Sequence, residues 1–291
     1  MKHIYCGGEG ETFFSTSDIG WVVGHSYIIY GPLIAGMATV MYEGTPLRPD
    51  AGIWWQIVEK YKVSVMFSAP TAARVLKKQD PAFMHKYDLS TLKHIFMAGE
   101  PLDQPTHEWF MGELGIPVID NYWQTETGWP MLAACPGVEK TPIKFGSPSF
   151  PVYGYNLNIY REDGSICGAN EKGIAAVVPP LPPGCLSTVW GQDERFISTY
   201  FDLFKDPLVY SSYDWAIKDD DGYYTILGRT DDVINVAGHR LGTREIEEAI
   251  QNHPAIAEVA VVGVEDKLKG QVPMAFAVVK DASKVATPEL V

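Results

Sequence analysis

The chain predicts an α/β fold in which layered sheets form a large first unit with a β-rich part, followed by a small α+β unit. Three observations carry this expectation. Between Ala38 and Asp120, short apolar runs alternate with segments of helical period. From about Gly146 the texture changes to glycine, proline and short alternating runs. After Arg229 a brief helical pattern precedes two strong strand patterns. The expected boundaries are 1–230 for the large unit, with 146–230 its β-rich part, and 231–291 for the small one.

Each element has a local reason. Ala38 to Tyr42 is short, apolar and partly β-branched, as a strand requires. Pro49-Asp50 offers a helix start, after which Ile53, Trp54, Ile57, Val58 and Tyr61 fall on one helical face. Val63 to Phe67 reads as a buried strand, and Pro70 opens a second helix through Leu76. Leu92 to Met97 is a strand running into Gly99-Glu100-Pro101. A helix around Thr106 to Phe110 leads to a strand from Pro117 to Asp120. In the second half, Tyr155 to Tyr160, Gly173 to Val178 and Tyr223 to Leu227 alternate as strands do. The run from Pro179 to Gly184 holds four prolines and must be an extended or turning loop. Glu245 to Gln251 is a short helix with Ile246, Ala249 and Ile250 on its buried face. Val259 to Val264 and Val272 to Val279 close the series as strands.

Bulk properties narrow the function. The chain has 291 residues, is 46% hydrophobic and carries a formal net charge of -13. So acidic a surface lacks the basic footprint that nucleic acid demands, so no nucleic-acid partner is expected. Small anionic ligands remain open, because a few arginines can make a local positive site. The four cysteines (Cys6, Cys135, Cys167, Cys185) are widely spaced, which is neither a zinc pattern nor a disulfide framework. No apolar run reaches the roughly 20 residues that cross a bilayer, and no leader pattern is present. No membrane partner is expected, and the expected location is the cytoplasm.

Three strand-to-loop transitions carry unusual residues: Ser68-Ala69-Pro70, Ala98 to Pro101, and Asp120 to Gly128. Ligands of open α/β sheets bind beyond the carboxyl ends of strands. Tyr122 and Trp123 alone would pass for core aromatics. Directly after them, however, Gln124, Thr125, Glu126 and Thr127 offer hydroxyls to phosphate oxygens and a carboxylate to a divalent metal. Downstream, Gly228-Arg229-Thr230-Asp231-Asp232 and Gly238-His239-Arg240-Leu241-Gly242 set two arginines and two acids among glycines. That grouping suits a polyphosphate clamp, although a single arginine more often makes a surface salt bridge. Asp214, before Trp215, would ordinarily be a turn or cap residue. His253, before Pro254, reads as a helix-end histidine.

These motifs resemble the adenylate-forming superfamily, which includes the acyl-CoA synthetases. Tyr122 to Gly128 is similar to its adenylate-binding loop, and Gly222 to Glu248 to its hinge and the segment after it. The resemblance runs from about Phe13 to Lys280. It implies ATP or AMP binding by Gly99, Glu100, Pro101, Asp120, Asn121, Tyr122, Trp123, Gln124, Thr125, Asp214, Arg229 and Arg240. Asp214 would hold the ribose hydroxyls; most relatives have Gly-Asp where this chain has Tyr213-Asp214. The resemblance further implies catalytic roles for Thr125 and Glu126, Mg2+ at Glu126 and His253, a hinge at Asp231, and passage of coenzyme A at Ala237 and Gly238.

Asp18 to His25 and Ala98 resemble the short-chain branch of that superfamily. An acyl pocket of Trp21, Val22, Val23, Ala98 and Trp123 is thereby implied, with Trp123 capping it after a few carbons. Acetyl-CoA synthetases tend to carry valine at the Ala98 position. Alanine frees about two methyl groups of volume, and a buried CH₂ is worth about 0.8 kcal/mol, which favours propionate over acetate. The implied substrates are a short-chain carboxylate, ATP and coenzyme A, joined in an AMP-forming ligation most like that of the propionyl-CoA synthetases. Acetyl-CoA synthetase and a non-catalytic nucleotide-binding protein stand as alternatives. The superfamily's Ser/Thr/Gly-rich phosphate loop and its Pro-Lys-x-x-x-Gly-Lys lysine have no counterpart in the sequence. The chain is therefore expected to be an internal piece of a synthetase, with a partial large domain, a truncated small one, and little adenylating activity.

Overall fold

The computed structural model describes residues 1–279 apart from 205, 231, 237, 238, 252, 254, 267 and 268. In chain order it begins with β1 (Thr12–Ser15), α1 (Val22–Gly24), a π-helical turn at His25–Tyr30, α2 (Gly31–Ile34) and β2 (Ala38–Val40). Then come α3 (Ile53–Tyr61), β3 (Val63–Ser68), α4 (Pro70–Lys77), α5 (Ala82–His85) and β4 (His94–Met97). The first half ends with α6 (Gln104–Leu114), β5 (Val118–Tyr122) and β6 (Leu132–Ala133). These strands form one sheet in the order β2-β1-β3-β4-β5-β6, parallel from β2 to β5, with β6 antiparallel to β5.

All six residues of β3 are buried, because both faces of the sheet are covered. Val65 and Phe67 join one core, which also takes in Phe96, Ile119 and residues of the second sheet. Val63 and Met66 join the other, beneath α3, α4 and α6. Helix α3 buries Trp54, Trp55, Ile57 and Val58. Tyr61, expected on that buried face, is instead 46% exposed, because the helix ends one residue on, where Lys62 turns left-handed at φ 52°. Helix α6 is longer than its apolar pattern suggests. Asp103 caps it by accepting from the Thr106 amide at 2.9 Å, and Gly115 ends it at φ 65°.

A second sheet, β10-β9-β8-β7, is antiparallel and consists of β7 (Asn156–Tyr160), β8 (Gly173–Val178), β9 (Tyr210–Lys218) and β10 (Tyr224–Arg229). Helix α7 (Asp193–Tyr200) lies between β8 and β9 in the chain. The connector around 146–152 stitches the two sheets together. Ala133 donates to the Phe150 carbonyl at 3.1 Å and Val152 to that of Met131 at 2.8 Å, while Tyr224 donates to Ser149 at 3.0 Å. The Ser147 hydroxyl also donates to the Tyr224 carbonyl.

The third sheet, β12-β11-β14-β13, comprises β11 (Val233–Val236), β12 (His239–Gly242), β13 (Ile256–Asp266) and β14 (Gly270–Val279), with α8 (Thr243–Gln251) beside it. Ile246 and Ile250 of α8 are half-buried, but Ala249 is exposed, against expectation. Residues 246 and 250 define the packed line, and position 249 lies roughly 80° round the helix from its midpoint. Among the described residues, no helix is long and apolar enough to cross a membrane.

Two tryptophans mark the extremes of burial. Trp55 is 1% exposed and Trp190 is 98% exposed. Trp55→Ala should lower the unfolding free energy by about 3–5 kcal/mol. Trp190→Ala should stay within about 0.5 kcal/mol of the parent, and chemical denaturation compares the two directly.

Candidate functional site

Strand β5 ends in the site. Asp120 and Asn121 are buried, and Asn121 Nδ2 donates to the Met97 carbonyl at 3.0 Å, tying β5 to β4. That bond fixes which end of the amide faces inward. Asn121 Oδ1 is left buried with no hydrogen-bond partner in the protein, an acceptor offered to a ligand N–H. The loop then doubles back. The amides of Thr127 and Gly128 donate to the Gln124 carbonyl at 3.1 and 3.2 Å, and Gly128 sits at φ 71°, where only glycine is relaxed. Outside contacts hold the turn. Ser26 in the π-helical turn donates to the Gly128 carbonyl at 3.0 Å, and the Leu186 amide, after the proline-rich loop, donates to that of Glu126 at 2.6 Å.

At the end of β4, Ala98 is buried and Gly99 adopts φ 101°. The Glu100 carboxylate is occupied at the start of α4. It accepts from the Thr71 amide at 2.7 Å, from the Thr71 hydroxyl and from Arg74, which also reaches Asp103 at 3.1 Å. The first transition, Ser68-Ala69-Pro70, is closed by a Thr16–Ser68 hydroxyl pair at 2.9 Å and does not reach the cleft.

The opposite wall comes from an irregularity in the second sheet. Pairing of β8 with β9 jumps between Ile174–Trp215 and Ala176–Ser211, and pairing of β10 with β9 shifts between Ile226 and Gly228. The β9 residues in between bulge out. Tyr213 takes a left-handed φ of 57°, a region that favours glycine. Bulges of this kind re-aim side chains. Here Asp214, only 7% exposed, turns toward the β5 loop. Its Oδ2 accepts from the Tyr122 phenol and from Gln124 Nε2 at 2.8 Å. Gln124 Nε2 also donates to the Ser212 carbonyl at 2.6 Å, and its Oε1 accepts from the Tyr210 phenol at 3.0 Å. The Tyr200 phenol donates to Glu126 Oε1 at 2.6 Å. Burial, then the bond to Glu126, pushes the Tyr200 phenol up to about 12. Burial and the Asp214 charge hold Tyr122 well above the usual phenol range, so both remain donors at neutral pH.

Between these walls lies a cavity of about 350 Å³. Gly99, Glu100, Pro101, Asp120, Asn121, Tyr122, Trp123, Gln124, Glu126, Asp214 and Arg229, all named from sequence, line it together. Arg229 is exposed at its edge, with Nη1 3.4 Å from the Ser212 carbonyl. Other expected residues stand elsewhere. Thr125 is exposed on the loop and off the wall. Trp21 is 70% exposed as the residue before α1, so the structure does not bring it to the cavity. Val23 and Trp123 pack on the same core that buries Ala98, with Trp123 edge-on to Tyr27 at 5.4 Å, while Val22 is half-buried. His253 is exposed and its Nδ1 accepts from the Ala255 amide at 3.2 Å, so it is not brought together with Glu126. Asp231, Ala237 and Gly238 lie outside the described residues, and of Arg240 only the backbone, in β12, is described.

Sequence reasoning missed Gly146 and Pro148 as wall residues, and Tyr200, Tyr210 and Ser212 as supports. The shift to glycine and proline near residue 146 was the one available pointer. Magnesium fits this donor set only with help. Among the described residues no three His, Cys, Asp or Glu side chains cluster, so a cation beside Glu126 would draw its remaining oxygens from a ligand's phosphates.

Residues 1–177 match the family model described as AMP-binding enzyme, and residues 245–291 that of the AMP-binding enzyme C-terminal domain. The chain belongs to the AMP-binding enzyme family. It is 60% identical over 286 residues to the propionate–CoA ligase of Escherichia coli K12, covering 98% of this chain and 45% of that protein. Against the propionate–CoA ligase of Salmonella typhimurium the identity is 58% over 290 residues, covering 99% and 46%. The acetyl-coenzyme A synthetase of Wolinella succinogenes is 44% identical, with 96% and 43% covered. The chain thus spans about half the length of the curated relatives it matches. The crystal structure of the anthranilate CoA ligase AuaEII in complex with anthranoyl-AMP superposes with a TM-score of 0.80 at 24% identity, covering 99% of this chain and 52% of that one. That likeness establishes the α/β fold.

Gln124 satisfies three groups at once, so Gln124→Ala leaves a buried carboxylate short of a donor. It should cost about 1–3 kcal/mol of stability, read as a shift in the urea midpoint.

Proposed function

We propose that this chain is the adenylate-binding part of an AMP-forming short-chain acyl-CoA synthetase that joins propionate to coenzyme A at the expense of ATP. One observation carries the reading: Glu126, Asp214 and Arg229, far apart in the chain, share one cavity with an orphaned acceptor, Asn121 Oδ1. The 60% identity to a propionate–CoA ligase supports the substrate assignment. In this reading residues 1–230 form the large domain, with 146–230 its β-rich part, and residues 231–291 form a mobile small domain.

The chemistry follows from the walls. Asp214, fixed by Tyr122 and Gln124, accepts hydrogen bonds from the ribose hydroxyls. Asn121 Oδ1 accepts from the adenine amino group, and Arg229 at the edge pairs with phosphate oxygens. Glu126, with the phosphates of ATP, would hold Mg2+, and the ion would supply charge neutralisation at those phosphates. The carboxylate of the acid then attacks the α-phosphorus and pyrophosphate leaves; the thiol of coenzyme A, losing its proton, attacks the acyl-adenylate carbonyl, and the acyl–phosphate bond breaks to release AMP. Thr125 takes part through phosphate contact and Arg240 with Arg229 in binding the nucleotide, while Asp231 serves the second step as hinge and Ala237 and Gly238 as the coenzyme A passage. Trp123, braced by Tyr27, limits the acid to a few carbons, with Val22, Val23 and Ala98 behind the same wall. Trp21, before α1, is the remaining member of that acyl pocket in this reading.

Calorimetric titration of the chain with AMP tests the site. AMP should bind, and Asp214→Asn should weaken it at least tenfold; a folded chain that ignores AMP sinks the reading. Acid preference is read with alkyl adenylates. Propyl-AMP should outbind ethyl-AMP, and Ala98→Val should erase most of the difference, by roughly tenfold, the lower end of what a methylene is worth in a fitted pocket. Equal or tighter binding of ethyl-AMP to the unaltered chain would move the assignment to acetate. Exchange of labelled pyrophosphate into ATP separates a catalytic chain from one that only binds nucleotide.

A further inference from the structure

Helix α7 carries no motif, and nothing in its sequence marks it as part of a site. Yet its last residue, Tyr200, reaches the adenylate loop, donating to Glu126 Oε1 at 2.6 Å across 74 residues of chain. The ring is fixed as firmly as the hydroxyl. It stacks on Tyr210 at 5.3 Å and 15°, and packs against Phe196 at 5.6 Å. The phenol of Tyr210 in turn donates to Gln124, whose amide donates to Asp214. One continuous series therefore links the glutamate on one side of the cleft to the aspartate on the other. Glu126 lies on a turn whose backbone is held at both ends, while its carboxylate accepts from Tyr200. A glutamate side chain has three free torsions, and a charge-assisted hydrogen bond to one oxygen fixes them while leaving the other oxygen for a cation.

We propose that Tyr200 is a positioning residue that sets the Glu126 carboxylate for the magnesium-bound triphosphate and couples it to the Asp214 arm. This inference rests on the adenylate-binding reading given above. It predicts an effect that depends on metal and phosphate, which simple support of the fold would not produce.

Calorimetry on the chain with AMP in the absence of metal, and with ATP in magnesium, separates the possibilities. Tyr200→Phe keeps the ring stack and removes only the donor. Affinity for MgATP should fall about fivefold to tenfold, the scale of one charge-assisted bond in a partly exposed site. Affinity for metal-free AMP should stay within about twofold, the size of change ordinarily left by a lone distant substitution. Glu126→Gln should lose MgATP affinity to a similar degree, and adding Tyr200→Phe to it should cost nothing further, because both act through the same carboxylate. Equal losses for both ligands, or fully additive losses in the pair, would reduce Tyr200 to a support of the fold and overturn the proposal. Unchanged binding of both ligands overturns it as well while sparing the adenylate reading. Failure of the unaltered chain to bind either nucleotide would overturn that reading, and the role of Tyr200 with it.

Discussion

The carboxylate of Asp214, almost wholly buried between two sheets, is the constraint around which the rest is arranged. An ionised carboxylate removed from water is tolerated only when donors replace the solvent. Here Tyr122 and Gln124, which donate to it, come from the end of the first sheet, while the aspartate belongs to the second. The contact therefore does more than neutralise a charge. It holds the β5 loop against β9, beside the cavity between the sheets. The connector of residues 146–152, bonded to β6 on one side and β10 on the other, acts in the same direction through backbone pairing alone.

Backbone geometry follows from that arrangement. A left-handed conformation at a residue other than glycine costs on the order of 1–3 kcal/mol and persists only where its surroundings hold it. Tyr213 is held on both flanks. Its carbonyl accepts from the Thr230 amide at 2.8 Å, and the neighbouring Ser212 hydroxyl donates to Ala175 at 2.7 Å. The bulge is thus a local cost set against a side-chain direction that a regular strand could not give. Its neighbour Gly228, at φ 115°, meets the same irregularity from the facing strand.

Much of this was legible in the sequence, for reasons specific to each part. Strands β3 and β4 and the start of β5 read clearly because a parallel sheet covered on both faces favours largely apolar runs. The β5 loop stood out because four polar residues directly after such a run have no packing purpose. Asp214 did not stand out physically; only likeness to a family picked it from among the acids. Tyr200, Tyr210 and Ser212 were invisible because their roles arise from three-dimensional adjacency between segments that look like an ordinary amphipathic helix and strand. Trp21, exposed in the structure, is hard to place from sequence for a related reason. A tryptophan beside two valines suggests a pocket, yet which way it faces is decided by the irregular helical turn that follows, a conformation with no simple periodic signature. Ala249 and Tyr61 failed more modestly, each lying at the margin of a helical face.

The way the connector joins the sheets also ties occupancy to integrity. Gly146 and Pro148 of the connector line the cleft, and its backbone is bonded to both sheets. Any molecule that fills the space can do so in the native chain alone. A ligand present at a hundred times its dissociation constant would then deepen the native state by about 2.7 kcal/mol. Protease resistance or thermal resilience would rise with ligand supply, so that cellular abundance of the protein would itself become a gauge of the small molecules around it.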